Sequence, residues 1–234
     1  WLTPGHLIIE GGTISAVQAG NPDPQAFLEA DRVIDARGMA ILPGLVNGHS
    51  HFSQSFMRGL AAGRPLLQWL KELIWPLQSS FSAEEMYLAA LLGLAGNLSG
   101  GVTYVVDHHK ITRTPEHTLA VKKAAEEIGL RCTIARAWSD RGNNPESGDA
   151  ILDELEGWYG MQTPGGKVTF ASGPLTPWRA SGELMQKTHA QALQHGCFTH
   201  IHVSETCDEV EMTLKETRSE EHTFELQSPN TISY

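Results

Sequence analysis

A chain of 234 residues, 41% hydrophobic and 19% charged, has an ordinary globular composition, with length for one large domain or two modest ones. Its formal net charge of −10 argues against a general binder of nucleic-acid polymers or anionic membranes, though not against nucleobases or nucleosides as small substrates. No apolar run approaches a membrane span, and the three cysteines, Cys132, Cys197 and Cys207, form no CxxC and suggest no disulfide framework, so a cytoplasmic location is expected.

Residues 6–10 and 13–17 read as two strands of a hairpin about Gly11-Gly12, because glycine accepts the positive φ of a tight turn. Asn21-Pro22-Asp23-Pro24 reads as a loop and 32–36 as a further short strand. Together these make residues 1–40 a small β-sandwich portion, expected to lack its first strand. From Ile41 the pattern changes to strands alternating with helices. An apolar strand runs from Ile41 toward His49. A helix over 66–75 stops at Pro76. Ser82 and Glu85 form a capping box that opens a helix to about Leu98, ended by Gly100-Gly101. Then come a strand at 102–106, a helix from Thr114-Pro115 to Ile128 closed by Gly129, a strand at 132–138 and a helix at 150–159. A strand at 168–171, a helix from Ser181 to His195 closed by Gly196, a fifth strand at 197–203 and a helix at 208–216 complete the pattern.

Five βα units predict an α/β fold with a parallel sheet, either a partial (β/α)8 TIM-like barrel or an open doubly wound sheet. No Gly-rich phosphate loop follows a strand, which counts against a dinucleotide fold. Residues 41–217 fall short of the ~250 of a complete barrel, so a truncated barrel domain is expected. The segment Arg218-Ser219-Glu220-Glu221-His222-Thr223-Phe224-Glu225-Leu226-Gln227-Ser228 resembles a translated sequencing adapter. Residues 218–234 are therefore expected to be non-native, and His222 is not offered as a ligand.

His49-Ser50-His51 spaces two imidazoles i, i+2, and alternate side chains of an extended strand share a face. His200-Ile201-His202 repeats the arrangement, and Glu205 follows it. Both pairs fall at strand ends, where a barrel carries its active site, and this favours the barrel. Two such pairs beside a carboxylate indicate a metal-dependent hydrolase. Imidazoles around an open position suit one divalent ion, Zn²⁺ first and Fe²⁺ as the alternative.

The first pair follows Leu42-Pro43-Gly44-Leu45-Val46-Asn47-Gly48, and the second belongs to His200-Ile201-His202-Val203-Ser204-Glu205-Thr206. Together they resemble the amidohydrolase superfamily, in its mononuclear aminohydrolase branch of hydrolytic deaminases, 8-oxoguanine-type deaminases and triazine hydrolases. Met57-Arg58-Gly59-Leu60, Trp69-Leu70 and Trp75-Pro76-Leu77 further resemble S-adenosylhomocysteine/methylthioadenosine deaminases. The resemblance covers residues 8 to about 217. It implies that His49, His51 and His202 are metal ligands and that Glu205 takes a proton from water and passes it to the leaving nitrogen. The metal would lower the pKa of a bound water, and hydroxide would attack an amidine-like carbon of a heterocyclic amine of purine, pterin, pyrimidine or triazine type.

For substrate binding the resemblance points to Trp69, in the place of a base-stacking aromatic, and to Gln78, where a glutamate binds ribose hydroxyls. Gly173 stands where a histidine is found. Arg136 either reaches an anionic or carbonyl group or pairs with a carboxylate, and His109 of Asp107-His108-His109 is assigned to the barrel mouth. Lys167 lies at the beginning of strand four rather than its end, which implies one metal rather than two. The family completes its site with a histidine after strand six and an aspartate after strand eight, neither of them in this sequence. The chain alone is thus expected to hold metal poorly and to be inactive, as a fragment of the active enzyme. Homodimers are common in the family. The competing readings are a dechlorinating or dealkylaminating triazine-type hydrolase and a non-catalytic scaffold of the same descent.

Overall fold

The computed structural model describes residues 2, 4–60, 63–142 and 144–217. The tail expected to be non-native lies outside the described residues. The chain divides between residues 43 and 44 into two compact units.

In the first unit β1 (Gly5–Glu10) pairs antiparallel with β2 (Thr13–Ala19). Gly11 and Gly12 take φ of 58° and 81°, the left-handed pair that a two-residue hairpin turn requires. Asn21, Pro22 and Asp23 form the expected loop, and Pro24 opens a short helix, α1 (Pro24–Glu29). The Asp23 carboxylate accepts from Gln25 N–H at 2.9 Å, and Pro24 fills the first helical position, where no N–H is needed. The strand expected at 32–36 does not form. Asp35 accepts from the backbone N–H of Arg37 at 3.0 Å, and Met39 N–H closes a turn onto Ala36 O. Such local side-chain bonding competes with strand pairing.

The second unit is a parallel sheet of β3 (Leu45–Ser50), β4 (Val102–His109), β5 (Arg131–Trp138) and β6 (Val168–Pro174), ordered as in the chain. The apolar residues before Leu45 stay outside β3, and Ile41 and Leu42 are exposed. A 3-10 helix, Phe52–Met57, follows His51 directly and buries Phe52 and Met57. The helix expected to stop at Pro76 runs through it. Helix α2 (Leu66–Trp69) passes into a wide π-type turn, Leu70–Ile74, and then into α3 (Trp75–Ser80). Trp75 N–H reaches Leu70 O, five residues back, so the ladder has already widened where the proline ring would clash.

Helix α4 (Ala83–Ser99) starts at the expected box: Ser82 Oγ accepts from Glu85 N–H at 3.2 Å, and the Glu85 carboxylate accepts from Ser82 N–H at 2.7 Å. The layer continues with α5 (Pro115–Ile128), α6 (Gly148–Gly160), α7 (Gly182–Gln194) and α8 (Cys207–Thr217). One side of the sheet, with Val105, Ile134, Trp138 and Phe170, joins Met86 and Leu94 of α4, Val121 of α5 and Leu155 of α6 in one buried core. None of the described helices is long and apolar enough to cross a membrane.

The fifth strand expected at 197–203 does not form. That segment runs beside β6 but makes a single bridge, Thr199 with Ser172. Ser172 N–H donates to Phe198 O at 3.2 Å and His200 N–H to Ser172 O at 2.8 Å. The next rung would need an N–H from residue 174, which is proline and has none. The ladder breaks there, and His202 N–H reaches Leu175 O at 3.4 Å instead.

Candidate metal centre

β3 stands at one edge of the sheet and the 197–203 segment beside β6 at the other, yet their histidines meet at the C-terminal ends of the strands. There the donor nitrogens of His49, His51 and His202 lie within 4.8 Å of one another. His51 Nε2 is 3.2 Å from His49 Nε2 and 3.1 Å from His202 Nε2. The opposite ring nitrogens decide what these contacts are. His51 Nδ1 lies 2.8 Å from His108 O and His202 Nδ1 3.1 Å from Leu175 O. A carbonyl only accepts, so both Nδ1 atoms carry the proton and both neutral rings present a bare Nε2.

Two bare nitrogens 3.1 Å apart cannot hydrogen-bond to each other. Protonating either is opposed by burial, which pushes His51 down to about 2 and His202 to about 3; Lys110 nearby acts in the same sense. Converging lone pairs on neutral imidazoles are satisfied by a cation. The donor set therefore fits a divalent ion that accepts nitrogen ligands.

The backbone around these ligands is tied down. Asn47 Oδ1 accepts from His49 N–H at 3.2 Å, while its Nδ2 donates to Asn97 Oδ1 at 2.8 Å. Asp107 Oδ1 accepts from Phe52 N–H at 2.8 Å, fixing the chain one residue past His51. Ser204, at φ 54°, turns the chain between His202 and Glu205. Glu205 is exposed, its N–H donates to Glu209 Oε2 at 3.1 Å, and its negative charge acts on both His49 and Lys110. Lys110, at the end of β4, was not singled out in the sequence, yet its charge reaches His49, His51, His108 and His202.

The substrate-binding expectations fare unequally. His109 points away from the cluster: it is 1% exposed, its Nδ1 lies 3.7 Å from Asp107 Oδ2, and burial holds it down at about 3. Its neighbour His108 is the one facing the centre, with ring centroids 4.5 Å from His202 and 5.6 Å from His51. Strand alternation sends adjacent side chains to opposite faces, and Val105-Val106, apolar on both, left no sign of which was which. Arg136, paired in register with His109, also lies behind the sheet. It is buried, with Nη2 2.5 Å from Glu146 Oε2 and bonded to Glu154, so carboxylate pairing is the alternative found. Trp69 is half-buried against the core with its Nε1 unpartnered, and Gln78 donates to Ser53 Oγ at 3.1 Å. A Cβ on Gly173 would meet Arg136 O at 2.7 Å, so β5 leaves no room for a side chain there. The cavity of about 540 Å³ beside Tyr104, Thr133, Thr169 and Cys197 lies toward the opposite ends of the strands, away from the histidines.

A family model described as "Amidohydrolase family" matches residues 40–232. The chain is 34% identical to a 5-methylthioadenosine/S-adenosylhomocysteine deaminase of Symbiobacterium thermophilum, over 88% of this chain and 46% of that protein. It is 35% identical to a 5'-deoxyadenosine deaminase of Methanothermobacter thermautotrophicus, over 88% of this chain and 46% of that protein. The chain thus spans about half the length of the curated relatives it matches. Among solved structures, an atrazine chlorohydrolase of Arthrobacter aurescens complexed with zinc superposes with a TM-score of 0.81 at 24% identity, covering 94% of this chain and 52% of that one. Guanine deaminase of E. coli gives a TM-score of 0.74 at 22% identity, over 91% and 49%. These two likenesses concern the fold, a barrel of which this sheet is a part.

Proposed function

This chain belongs to the amidohydrolase family, and from that premise we propose that it serves hydrolytic deamination of a heterocyclic amine, with an adenosine-type purine as the first candidate. The observation that carries the reading is the convergence of three Nε2 atoms, two of them bare because their Nδ1 protons are spent on main-chain carbonyls. His49, His51 and His202 would hold one divalent ion, zinc first. Such an ion supplies the Lewis acidity that makes water a nucleophile near neutral pH.

The remaining work falls to this chain's own groups. Glu205, three residues past His202, takes the proton of the attacking water and hands it to the departing nitrogen as ammonia leaves. The charge of Glu205 acts on Lys110, which places a cation on the same side of the site. His108 forms a wall of the same space, and Trp69 is offered as the surface on which the ring stacks. The purine preference follows the names of the relatives at 34% and 35% identity.

The test is ammonia release by the complete gene product across 5'-deoxyadenosine, 5'-methylthioadenosine, S-adenosylhomocysteine, guanine and chlorinated or alkylamino triazines. Zinc-dependent ammonia release that Glu205→Gln abolishes supports deamination. Chloride or alkylamine release without ammonia would replace it with the triazine reading. A product that binds no metal and turns over nothing would leave only a scaffold.

A further inference from the structure

One histidine of the second pair has no part in the centre so far. We propose that His200 is a positioning residue: it accepts the Nδ1 proton of His49 and so holds that ring with Nε2 bare and facing the ion. The proposal rests on the metal-centre reading above. His51 and His202 are steadied from behind by main-chain carbonyls, His108 O and Leu175 O, which survive any substitution at those positions. His49 is steadied by a side chain instead. Its Nδ1 lies 2.8 Å from His200 Nε2, with ring centroids 5.0 Å apart. His49 is also the most exposed of the three, so packing does least to orient it.

A neutral imidazole has one donor and one acceptor. If His200 donated, the proton of His49 would sit on Nε2, aimed at the bare Nε2 of His51 at 3.2 Å. That arrangement closes a hydrogen-bonded chain and removes His49 from the ligand set. With His200 as acceptor, His49 presents a lone pair. The main chain at His200 is itself held, its backbone N–H donating to Ser172 O at 2.8 Å. Partners that fix a metal-bound histidine from behind are worth about 10–100-fold in metal affinity.

Zinc affinity of the complete gene product, measured by chelator competition, tests this. His200→Ala should weaken zinc binding about 10–100-fold. His200→Gln, whose amide oxygen can accept at the same place, should recover most of the loss. Histidine ¹⁵N spectra of the zinc-loaded wild type should show His49 protonated at Nδ1, a result that needs no variant to fold. Unchanged affinity in His200→Ala, no recovery in His200→Gln, or a His49 proton on Nε2 would each overturn the proposal while the metal centre stands. A wild type that takes up zinc no better than His51→Ala would overturn the centre and this proposal together.

Discussion

His108 and His109 are neighbours in the chain and lie on opposite faces of the same sheet, in two polar clusters of different character. Around His108 the rings of His51, His200 and His202 crowd together, and the Nδ1 protons of His51 and His202 are fixed by main-chain carbonyls. Around His109 stand Asp107, Arg136 and, beyond them, Glu146 and Glu154. The first cluster gathers like groups that cannot satisfy one another, and such a cluster is suited to a ligand. In the second, the arginine meets opposite charges within the protein and so serves stability. Each cluster holds one fully buried histidine, His108 or His109; the carboxylates that meet Arg136 separate the two.

Removing a ligand should have the largest effect. Structural zinc binding of ~10–16 kcal/mol spread over four ligands makes each worth roughly 3–4 kcal/mol. His51→Ala should thus weaken zinc affinity by about 10²–10³-fold while leaving the apo melting transition in place, and calorimetric titration reads both. On the other face, Arg136→Met should cost about 3 kcal/mol of folding stability, because Glu146 and Glu154 lose their buried partner. Urea unfolding measures it. The carboxylates reach solvent, which keeps the cost at the low end, and zinc affinity should not change. A ligand-like loss of zinc in this variant would break the contrast between the faces.

A smaller effect is expected where the faces touch. A Cβ at Gly173 would lie 2.7 Å from Arg136 O and 2.9 Å from Ala135 O, both backbone. Gly173→Ala should cost ~1–3 kcal/mol by overpacking, read from the same unfolding curves.

The last prediction concerns pH on the helix side. Unfolded histidines take up a proton near 6.5, whereas His109 stays neutral down to about 3. Between those values the unfolded chain binds more protons, so His109 makes the fold less stable as pH falls. Asp107 has the opposite sign: burial raises it to about 7, so the folded chain binds its proton first and gains stability as pH falls from about 7 toward 4. Asp107→Asn removes that gain while keeping an oxygen for Phe52 N–H. Stability measured from pH 6.5 to 4 should then fall more steeply than in wild type, by up to ~1.4 kcal/mol per pH unit. Parallel curves for the two proteins would show that Asp107 is not protonated in the fold.

Local chemistry was legible wherever a residue acts through its own backbone neighbourhood. The Ser82 box, the left-handed Gly129 after α5, the Gly11-Gly12 turn and the His49-Ser50-His51 spacing are all decided within a few residues, and the structure displays each of them. The amidohydrolase family followed from the same short stretches. Other features depend on partners distant in sequence. Pro76 should end a helix and does not, because a wide turn before it absorbs the missing bond. The fifth strand fails through the absence of an N–H on Pro174, which belongs to the neighbouring strand. Which of His108 and His109 meets the centre was settled by the parity of β4 against the helices. A linear pattern supplies which groups can bind, and only packing decides which way each one points.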